Sequence, residues 1–387
     1  MKILVNGTPL LAPLTGIGQY IRHLFSAMEK VADVELSMYY GTHCGQGMQL
    51  PSQARSQTVQ RGYSLLRLAL PRPRTIKKLV ESAVFRYHTR GDLSKTIYHE
   101  PNFLPLPYDG PLVLTVCDMS CFDHPQTHPE ERVALLHRHM PAAVERADHI
   151  IVISEASGIA LRKWFNVDPK RVTTTYLAAD SRFQPIAPEA LTTTLAGLGL
   201  NPQAYVLTVG TLEPRKNLTT LFAAYAGLPT ALRKRFPLVL AGMKGWHTEG
   251  LLKPAEDLIR RGELRLLGYV PDGLIPSLYA GAAAFCYPSR YEGFGLPVLE
   301  AMASGVPVIT SNATSLPEVV GSAGLMVDPD DVDGIRDHLR QLLEDQTYAQ
   351  ELGRRGLLRS RSFSWDRCAR ETISVYEKVM LGRGFLQ

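Results

Sequence analysis

The apolar residues of this chain form two kinds of pattern, which alternate along the sequence. Short apolar runs fit strands buried on both faces of a sheet, and longer stretches with apolar residues three or four positions apart fit helices that bury one face. Strands separated by helices predict parallel sheets covered by helices on both faces. Strands are predicted over residues 2–6, 96–99, 112–116, 149–153, 205–209, 237–241, 264–267, 283–287, 306–310 and 325–327. Helices are predicted over residues 17–31, 130–145, 154–164, 218–226, 274–279, 297–304, 331–344 and 364–380.

A turn-rich stretch divides this pattern into two parts. Residues 181–188 read Ser-Arg-Phe-Gln-Pro-Ile-Ala-Pro, and a Leu-Asn-Pro triplet precedes a new strand. We therefore predict an α/β protein with two doubly wound, Rossmann-like domains over residues 1–180 and 204–364, joined by a linker over residues 181–203. Because open parallel sheets bind ligands beyond the carboxyl ends of their strands, we expect the active site in the cleft where the two domains face each other.

Length and composition agree with two folded domains. A chain of 387 residues is longer than one hydrophobic core usually supports, and 45% hydrophobic with 20% charged residues excludes a disordered chain. Five cysteines without a CxxC spacing predict a reducing cytoplasm rather than a disulfide-linked secreted protein. The sequence has no apolar run long enough to predict a transmembrane helix, and its first residues read as a strand rather than a signal peptide.

Positive charge is concentrated in one region. The net charge is +5, and residues 51–100 hold ten Lys or Arg against three acids, which gives +7 there and −2 elsewhere. Such a cluster predicts contact with a membrane surface or a nucleic acid, or else a solvated basic helix. Tyr63, Phe85 and Tyr87 lie among the bases, but no RRM, KH or helix-turn-helix pattern accompanies them. Nucleic-acid binding therefore stands only as an alternative.

The most informative segment covers residues 284–305, where a strand runs into a glycine-rich loop and then a helix. Glu292 lies in the loop, and Glu300, eight residues later, falls in the first turn of the predicted helix. A helix N-terminus attracts phosphate, and Gly293 and Gly295 let the backbone approach a ligand closely. Carboxylates beside an anion need hydroxyl donors, which sugar and ribose rings supply. The segment predicts a nucleotide-sugar site; the alternative is a structural helix whose acids complement its dipole.

This segment resembles the glutamate–seven residues–glutamate signature of glycosyltransferase family 4, which comprises retaining enzymes of the GT-B fold. The flanking residues 287–289 and 300–309 are similar to the family as well. The resemblance implies two Rossmann-like domains facing across a cleft, with a final helix over residues 365–387 that packs back on the first domain. It implies that Glu292 faces the donor sugar and Glu300 holds the nucleotide ribose. It also implies donor-binding backbone groups at Gly293, Phe294, Gly295 and Leu296.

A basic pair follows the first strand of the second predicted domain. Arg215 and Lys216 lie on a turn before a helix, for which Asn217 is a good N-cap. Two cations there oppose the helix dipole, so a diphosphate leaving group is expected to compensate them; the alternative is a surface turn with solvated bases. The stretch resembles the family's glycine–arginine–lysine phosphate loop, with matches at Gly210 and Glu213 also. The family works without an essential metal, so we expect neither a metal nor another cofactor.

Three further segments complete the donor side. The Asp328–Asp331 run is the nearest match to a metal-binding Asp-x-Asp pair, but its place after the last predicted strand favours a turn and a helix cap. In the family the region of Val270 lies near the nucleobase. Gly16 and Gly18 open the first long helix, without the third glycine of the dinucleotide fingerprint. They resemble the family's glycine loop near the donor diphosphate; the alternative is a plain strand-to-helix turn.

Two segments of the first domain are expected to line the cleft, because each follows a predicted strand. Residues 98–103 place His99 and Asn102 on the acceptor side. Residues 115–120 resemble a segment in which many relatives carry His-Asp, whereas this chain has Cys117 before Asp118.

Asp118 is the first candidate to orient or deprotonate the attacking hydroxyl, and His124 in the following loop is the second. The cysteine at position 117 excludes any role that needs a histidine there. Cys117, Cys121, His124 and His128 also have spacings that suggest a zinc site, but no second ligand pair completes a finger pattern. We therefore expect no metal at this loop and assign Cys117 and His124 to the acceptor side.

The resemblance implies transfer with retention of anomeric configuration. We favour front-face displacement, in which the departing phosphate, stabilised by Arg215 and Lys216, takes the acceptor proton. Glu292 and Asp118 complete the expected catalytic set. The alternative on the same fold is a nucleotide-sugar epimerase, which would need no acceptor.

Within the family, residues 5–7, the glycine loop and the 117–118 loop look most like mannosyl- and rhamnosyltransferases of bacterial O-antigen assembly. This resemblance implies a nucleotide-diphosphate sugar, with GDP-linked mannose or a 6-deoxy relative expected, and a polyprenyl-linked or oligosaccharide acceptor. We expect a cytoplasmic enzyme at the inner face of the membrane, where Arg72, Arg74, Lys77 and Lys78 would meet anionic lipid.

Overall fold

A computed structural model of the chain describes residues 1–11, 16–41, 43–48, 82–90, 95–246, 248 and 250–384. Within these residues the strands form two separate sheets, each covered by helices. The predicted fold class, two doubly wound α/β units of the GT-B type, is confirmed.

The first sheet has seven strands in the order β3-β2-β1-β4-β5-β6-β7, all parallel except β3. Ile3 at its centre pairs with Leu36 on one side and Ile97 on the other, and all three side chains are buried. The strands are β1 Lys2–Asn6, β2 Glu35–Tyr39, β3 Cys44–Gln46, β4 Thr96–Glu100, β5 Leu112–Val116, β6 His149–Val152 and β7 Val172–Thr174.

The second sheet has six parallel strands in the order β10-β9-β8-β11-β12-β13. The chain order reverses at the β8–β11 boundary, which is where such sheets bind ligands. The strands are β8 Val206–Val209, β9 Leu238–Ala241, β10 Leu264–Gly268, β11 Ala284–Tyr287, β12 Val308–Ser311 and β13 Leu325–Val327.

Helices cover both sheets. The longer ones bury one apolar face, as α1 does with Tyr20, Leu24 and Met28. The helices are α1 Gly16–Val31, α2 Glu130–Arg146, α3 Glu155–Phe165, α4 Pro188–Ala196, α5 Leu218–Ala226, α6 Thr230–Arg235, α7 Glu256–Arg260, α8 Ile275–Ala280, α9 Leu296–Ala303, α10 Leu316–Val320, α11 Val332–Glu344, α12 Gln346–Ser360 and α13 Trp365–Gly382. The described residues also contain a single helical turn over Ser120–Asp123, a short helix over residues 82–88 and several short 3-10 helices. None of the helices in the described ranges is long and apolar enough to cross a membrane.

All predicted strands and helices are present with ends within two residues of those expected. The sequence pattern missed β2, β3 and β7, which are short or polar, and several helices. One of these, α4, lies inside the stretch predicted as a linker, so that stretch is not turn alone. Leu195 of α4 is fully buried beside Gly281 at the end of α8, so this helix packs on the C-terminal half.

The last helix returns to the first sheet. Helix α13 packs along α1, and the Tyr376 hydroxyl lies 2.5 Å from Nδ1 of His99 on β4. His23 of α1 stacks on Trp365 at the start of α13, with ring centroids 5.2 Å apart. Helix α13 therefore belongs to the same half of the molecule as β1 and α1.

Candidate functional site

The site is built where two loops meet at the switch point of the second sheet. Strands β8 and β11 are neighbours, so the loops that follow them, residues 210–217 and 288–295, leave the sheet side by side. The Ser289 hydroxyl and the Arg290 N–H both donate to the Arg215 carbonyl, at 2.9 and 2.8 Å. The two loops are therefore one connected structure.

Glu292 lies between two cations at this junction. Its Oε1 accepts a hydrogen bond from Nζ of Lys216 at 2.7 Å, and its Oε2 accepts from Nη1 of Arg215 at 3.2 Å. Only 7% of Glu292 is exposed. Burial alone would raise the pKa of Glu292, but Lys216 and Arg215 together lower it to about 2. The carboxylate is therefore ionised at neutral pH.

The two cations are themselves buried and held. Nζ of Lys216 donates to the Tyr287 hydroxyl at 2.5 Å and lies 5.1 Å from the centre of that ring. Nη1 of Arg215 donates to the Tyr291 carbonyl at 2.8 Å, and Nε of Arg215 pairs with Oε1 of Glu213 at 2.6 Å. Burial lowers the pKa of Lys216, with Arg215 acting in the same direction. Burial opposes the charge of Arg215 too, but the carboxylates of Glu292 and Glu213 raise its pKa.

Asn217 sits at the N-cap position of α5, as predicted, but not in the predicted manner. Its φ is +58°, and its side chain caps no helix N–H. Instead Nδ2 donates to the carbonyls of Pro288 and Pro329, at 3.0 and 2.6 Å. Asn217 therefore ties the basic loop to the glutamate loop and to the turn after β13. In that turn Asp331 caps α11 by accepting from the Gly334 N–H, so the Asp328–Asp331 run is a turn and cap, as predicted.

Glycines allow the glutamate loop to pass close to its neighbours. A Cβ added at Gly293 would lie 2.1 Å from the Cys117 carbonyl oxygen, across the cleft. Gly295 has φ +112° and immediately precedes α9, where Leu296 begins the helix. The Phe294 side chain is buried against the rings of Tyr176 and Phe363, so only its backbone can face a ligand.

Glu300 is the fifth residue of α9, so it lies in the second turn and not in the predicted first turn. It is partly buried, and burial raises its pKa to about 8, with Tyr279 acting in the opposite direction and Asp272 adding to the rise. Ionisation of Glu300 is therefore costly in the unliganded protein. A ligand that donates hydroxyl hydrogen bonds to this carboxyl group would reduce that cost. Val270, close by in sequence to Asp272, is buried.

The remaining glycines predicted to bind the donor are Gly210, after β8, and Gly16 and Gly18, at the start of α1. Gly210 follows β8 with φ +155°, and a Cβ there would stand 3.7 Å from both Lys216 and the Tyr287 hydroxyl. Gly16 begins α1, and no atom of the described residues lies within 4 Å of a Cβ added there, while Gly18 is buried within the same helix. The residues immediately before Gly16 lie outside the described ranges.

The Asp118 loop faces this cluster from the other half. The Cβ of Asp118 lies 3.0 Å from the place of a Cβ on Gly293, and its charge contributes to the raised pKa of Arg215. Oδ1 of Asp118 accepts from the N–H and the hydroxyl of Ser120, at 2.9 and 2.6 Å. The His124 ring lies 5.4 Å from the ring of Tyr291, the residue before Glu292. Asp118 and His124 thus lie beside the glutamate loop.

Cys117 and the other residues of the suggested zinc site have separate partners. The Cys117 thiol donates to the Pro101 carbonyl at 3.7 Å, and burial raises its pKa. Nε2 of His128 lies 2.8 Å from the Ser120 hydroxyl, and Cys121 is buried. Within the described ranges, no three His, Cys, Asp or Glu side chains are grouped so that they could hold a metal ion.

His99 is not on the acceptor side, so this prediction is wrong. Its exposure is 0%, with Nε2 lying 2.7 Å from the Thr115 hydroxyl and Nδ1 at Tyr376. Burial lowers its pKa to about 3, so the ring is neutral and belongs to the core. Asn102 is partly buried, and its N–H donates to the carboxylate of Glu100 at 3.0 Å.

One further buried acid, Glu100, belongs to none of the motifs identified in the sequence. Glu100, buried at the end of β4, accepts from Asn6 and Tyr98 at 2.8 and 2.7 Å. Burial raises its pKa to about 7. A buried acid at a strand end can be noticed in a sequence, but its partner Asn6 belongs to β1, far away in the chain.

Hydrogen bonds join the two halves at several places around the site. The Glu318 carboxylate accepts from the Glu155 and Ala156 N–H groups at the start of α3, at 2.8 and 2.7 Å. The Tyr291 hydroxyl donates to Asp123 at 3.1 Å. Near the start of the stretch predicted as a linker, Nη1 of Arg182 pairs with Asp272 at 2.9 Å. The two halves are therefore in contact around the site.

Most of the basic stretch predicted to meet a membrane lies outside the described residues. Arg72, Arg74, Lys77 and Lys78 lie outside the described residues, as does Tyr63. Phe85 is described and is fully buried against Tyr39 and Tyr98, so it is not an exposed base-stacking residue.

Comparisons with known proteins agree in the family they indicate. The model of a family described as glycosyl transferases group 1 matches residues 196–359. O-antigen chain mannosyltransferase B of Escherichia coli is 40% identical over 382 residues, which are 97% of this chain and 100% of that protein. Serotype-specific mannosyltransferase WbdA of Escherichia coli is 34% identical over 243 residues, which are 62% of this chain and 30% of that protein.

Solved structures share the fold. The crystal structure of WaaG, a glycosyltransferase involved in lipopolysaccharide biosynthesis, has a TM-score of 0.70 at 16% identity and covers 97% of this chain and 99% of its own. Anabaena HepE in complex with UDP and glucose has a TM-score of 0.69 at 17% identity and covers 98% of this chain and 100% of its own.

Proposed function

The chain belongs to the glycosyl transferases of group 1, and from this membership we propose that it moves mannose from GDP-mannose to an O-antigen chain. The proposal of the substrate is supported by similarity to one relative over its full length. The Escherichia coli O-antigen chain mannosyltransferase B aligns over its entire length, so both halves of the cleft have counterparts.

The observation that carries the reaction is the ion cluster at the sheet switch point. Arg215 and Lys216 provide two buried cations that two carboxylates, Glu292 and Glu213, balance in the unliganded protein. Tyr287 and Glu292 take two of the three N–H donors of Lys216, which leaves one for a phosphate oxygen of the nucleoside diphosphate. Such preorganised cations stabilise the charge that develops on the leaving diphosphate. In this proposal they act without an essential metal.

In this proposal Glu292 binds the donor sugar rather than the phosphate. With its pKa lowered to about 2, it is a charged acceptor that can bind sugar hydroxyls strongly. In the same proposal Glu300 accepts hydrogen bonds from the nucleotide ribose, and the backbone at residues 293–296 approaches the diphosphate. Gly16, Gly18 and Gly210 allow close approach to it, and Val270 lies near the nucleobase.

The transfer proceeds with retention of configuration. The bond from the sugar C1 to the phosphate oxygen breaks, and a bond from C1 to the acceptor oxygen forms on the same face. The acceptor proton passes to the departing GDP oxygen, so the products are GDP and an α-mannoside. Asp118, beside Gly293, orients the acceptor hydroxyl, and His124 lines the same side.

The acceptor in this proposal is a polyprenyl-linked or free oligosaccharide, and the enzyme acts in the cytoplasm at the inner face of the membrane. The basic stretch at residues 51–100 would contact anionic lipid there. A nucleotide-sugar epimerase, the other reaction considered for this fold, has no support from the relatives, which are transferases. The same relatives give nucleic-acid binding no support.

A transfer assay with purified protein tests this proposal. We expect GDP release from GDP-mannose to depend on a mannose-terminated oligosaccharide, and Lys216→Met or Glu292→Gln to lower turnover by about 10²–10³. Arg340→Met is the matched control, because Arg340 is an exposed cation that pairs with Glu344 on α11 and lies outside the ion cluster. Equal loss in the control, or full turnover by Lys216→Met, would count against the site.

A further inference from the structure

A hydrogen-bonded chain of three side chains runs behind the acceptor side of the cleft. The Ser120 hydroxyl lies 2.6 Å from Oδ1 of Asp118 and 2.8 Å from Nε2 of His128. Ser120 is 1% exposed and His128 4%, so bulk water does not compete for these bonds. All three residues belong to the short stretch from the end of β5 to the start of α2.

In this series of hydrogen bonds the donor and the acceptor of each bond can be assigned. An ionised carboxylate only accepts, so the Ser120 hydroxyl donates its one hydrogen to Asp118. The Ser120 oxygen must then accept from His128, which fixes the proton of the neutral imidazole on Nε2. Burial lowers the pKa of His128 to about 4, so the ring is neutral at physiological pH.

We propose that Ser120 and His128 are positioning residues that hold Asp118 in the orientation needed to receive the acceptor hydroxyl. One carboxylate oxygen, Oδ1, is occupied by two bonds from Ser120. The other, Oδ2, is thereby directed away from Ser120. Since Asp118 lies against Gly293, next to Glu292, a small rotation of the carboxylate would change the position of the acceptor relative to the donor sugar. This inference rests on the proposed function.

A residue of the C-terminal half, Trp246, lies against the His128 ring. Trp246, in the loop after β9, donates through Nε1 to the Thr127 carbonyl at 2.7 Å, and its ring lies 5.8 Å from that of His128. The His128 ring is thus covered by a residue of the half that binds the donor. Contact between the two halves therefore covers the ring of His128, which lies at the far end of this series of hydrogen bonds from Asp118.

Variants that remove single hydrogen bonds test the proposal in the full-length protein. With GDP-mannose and a synthetic mannose-terminated oligosaccharide, Ser120→Ala and His128→Met should lower kcat by about 10- to 100-fold, the range for losing a hydrogen bond to a charged group. The dissociation constant for GDP should change less than about twofold, because neither residue contacts the donor cluster. His128→Gln should recover most of kcat, since its amide can donate from the place of Nε2.

His137→Met is the matched control, because His137 packs on Phe122 in the same region but has no bond to Asp118. It should retain wild-type kcat. The proposal is overturned if Ser120→Ala keeps wild-type kcat, or if His128→Gln is as impaired as His128→Met, which would mean that the ring acts by packing alone.

Nitrogen-15 NMR of the imidazoles separates this inference from the proposed function. A wild-type His128 with its proton on Nε2 supports the chain even if GDP-mannose proves not to be the donor. A proton on Nδ1 contradicts the chain even if mannosyl transfer is observed.

Discussion

The close approach of Gly293 to the Cys117 carbonyl gives a prediction about how the two halves work together. Gly293 lies so close to the other half that a Cβ there would be 2.1 Å from the Cys117 carbonyl oxygen, whereas such contacts are essentially never below 3.0 Å. The φ angle of Gly293 is not in the positive region, so alanine fits the local backbone. Gly293→Ala therefore changes the packing across the cleft and little else.

The clash requires a displacement of about 1 Å between the glutamate loop and the Asp118 loop. A misplacement of about 1 Å between reacting groups can reduce the rate about 100-fold, so kcat should fall by that factor. The protein can relieve the clash by separating its halves, so we expect the melting temperature to change little. GDP binding should persist, because Arg215 and Lys216 are not displaced relative to their own sheet.

Steady-state kinetics, GDP titration calorimetry and small-angle scattering together check this prediction. The variant should show lower kcat, an unchanged GDP dissociation constant and a larger radius of gyration than the wild type. Gly273→Ala is the control, because a Cβ at Gly273 would meet no atom within 4 Å. A Gly293→Ala enzyme with wild-type kcat would refute the idea that close contact at this point is needed for transfer.

Three other changes have defined outcomes. Tyr287→Phe removes a buried partner of Lys216 and should lower the free energy of unfolding by about 1 kcal/mol, measured by urea denaturation, with weaker GDP binding. Burial raises the pKa of Glu300 from 4.5 to about 8, so this group costs stability increasingly as pH rises through that interval. The melting temperature of Glu300→Gln should therefore exceed that of the wild type by more at pH 8 than at pH 5. An equal difference at both pH values would contradict this reasoning. Glu318→Ala removes the carboxylate that accepts hydrogen bonds from two N–H groups of α3 across the cleft. Scattering should then show a larger radius of gyration for the unliganded protein. An unchanged radius of gyration would show that these two bonds do not hold the halves together.

The donor side of the site could be predicted because its chemistry is continuous in sequence. The residues that flank Glu292 fix a strand end, a glycine loop and a helix start within one short segment, and the Arg215-Lys216 turn follows the neighbouring strand. Parallel strands place such loops at the same edge of a sheet. No long-range information was needed to bring them together.

The acceptor side could be predicted only in part, because its contacts join residues that are far apart in the chain. His99 lies in a strand that is buried on both faces, and only the structure shows that its ring contacts Tyr376 of α13 in the core rather than the cleft. Both faces of a buried parallel strand are apolar, so the sequence does not say which face a polar residue occupies. The place of His128 beneath Trp246 depends on contact between the two halves.

The stereochemical course of transfer tests the central claim most directly. Purified protein is incubated with GDP-mannose and a mannose-terminated oligosaccharide, and the anomeric carbon of the new linkage is followed by NMR. The account predicts an α-mannoside, formed together with one GDP per transfer, and its loss in Lys216→Met. A β-linked product, or release of GDP that does not require the oligosaccharide, would contradict it.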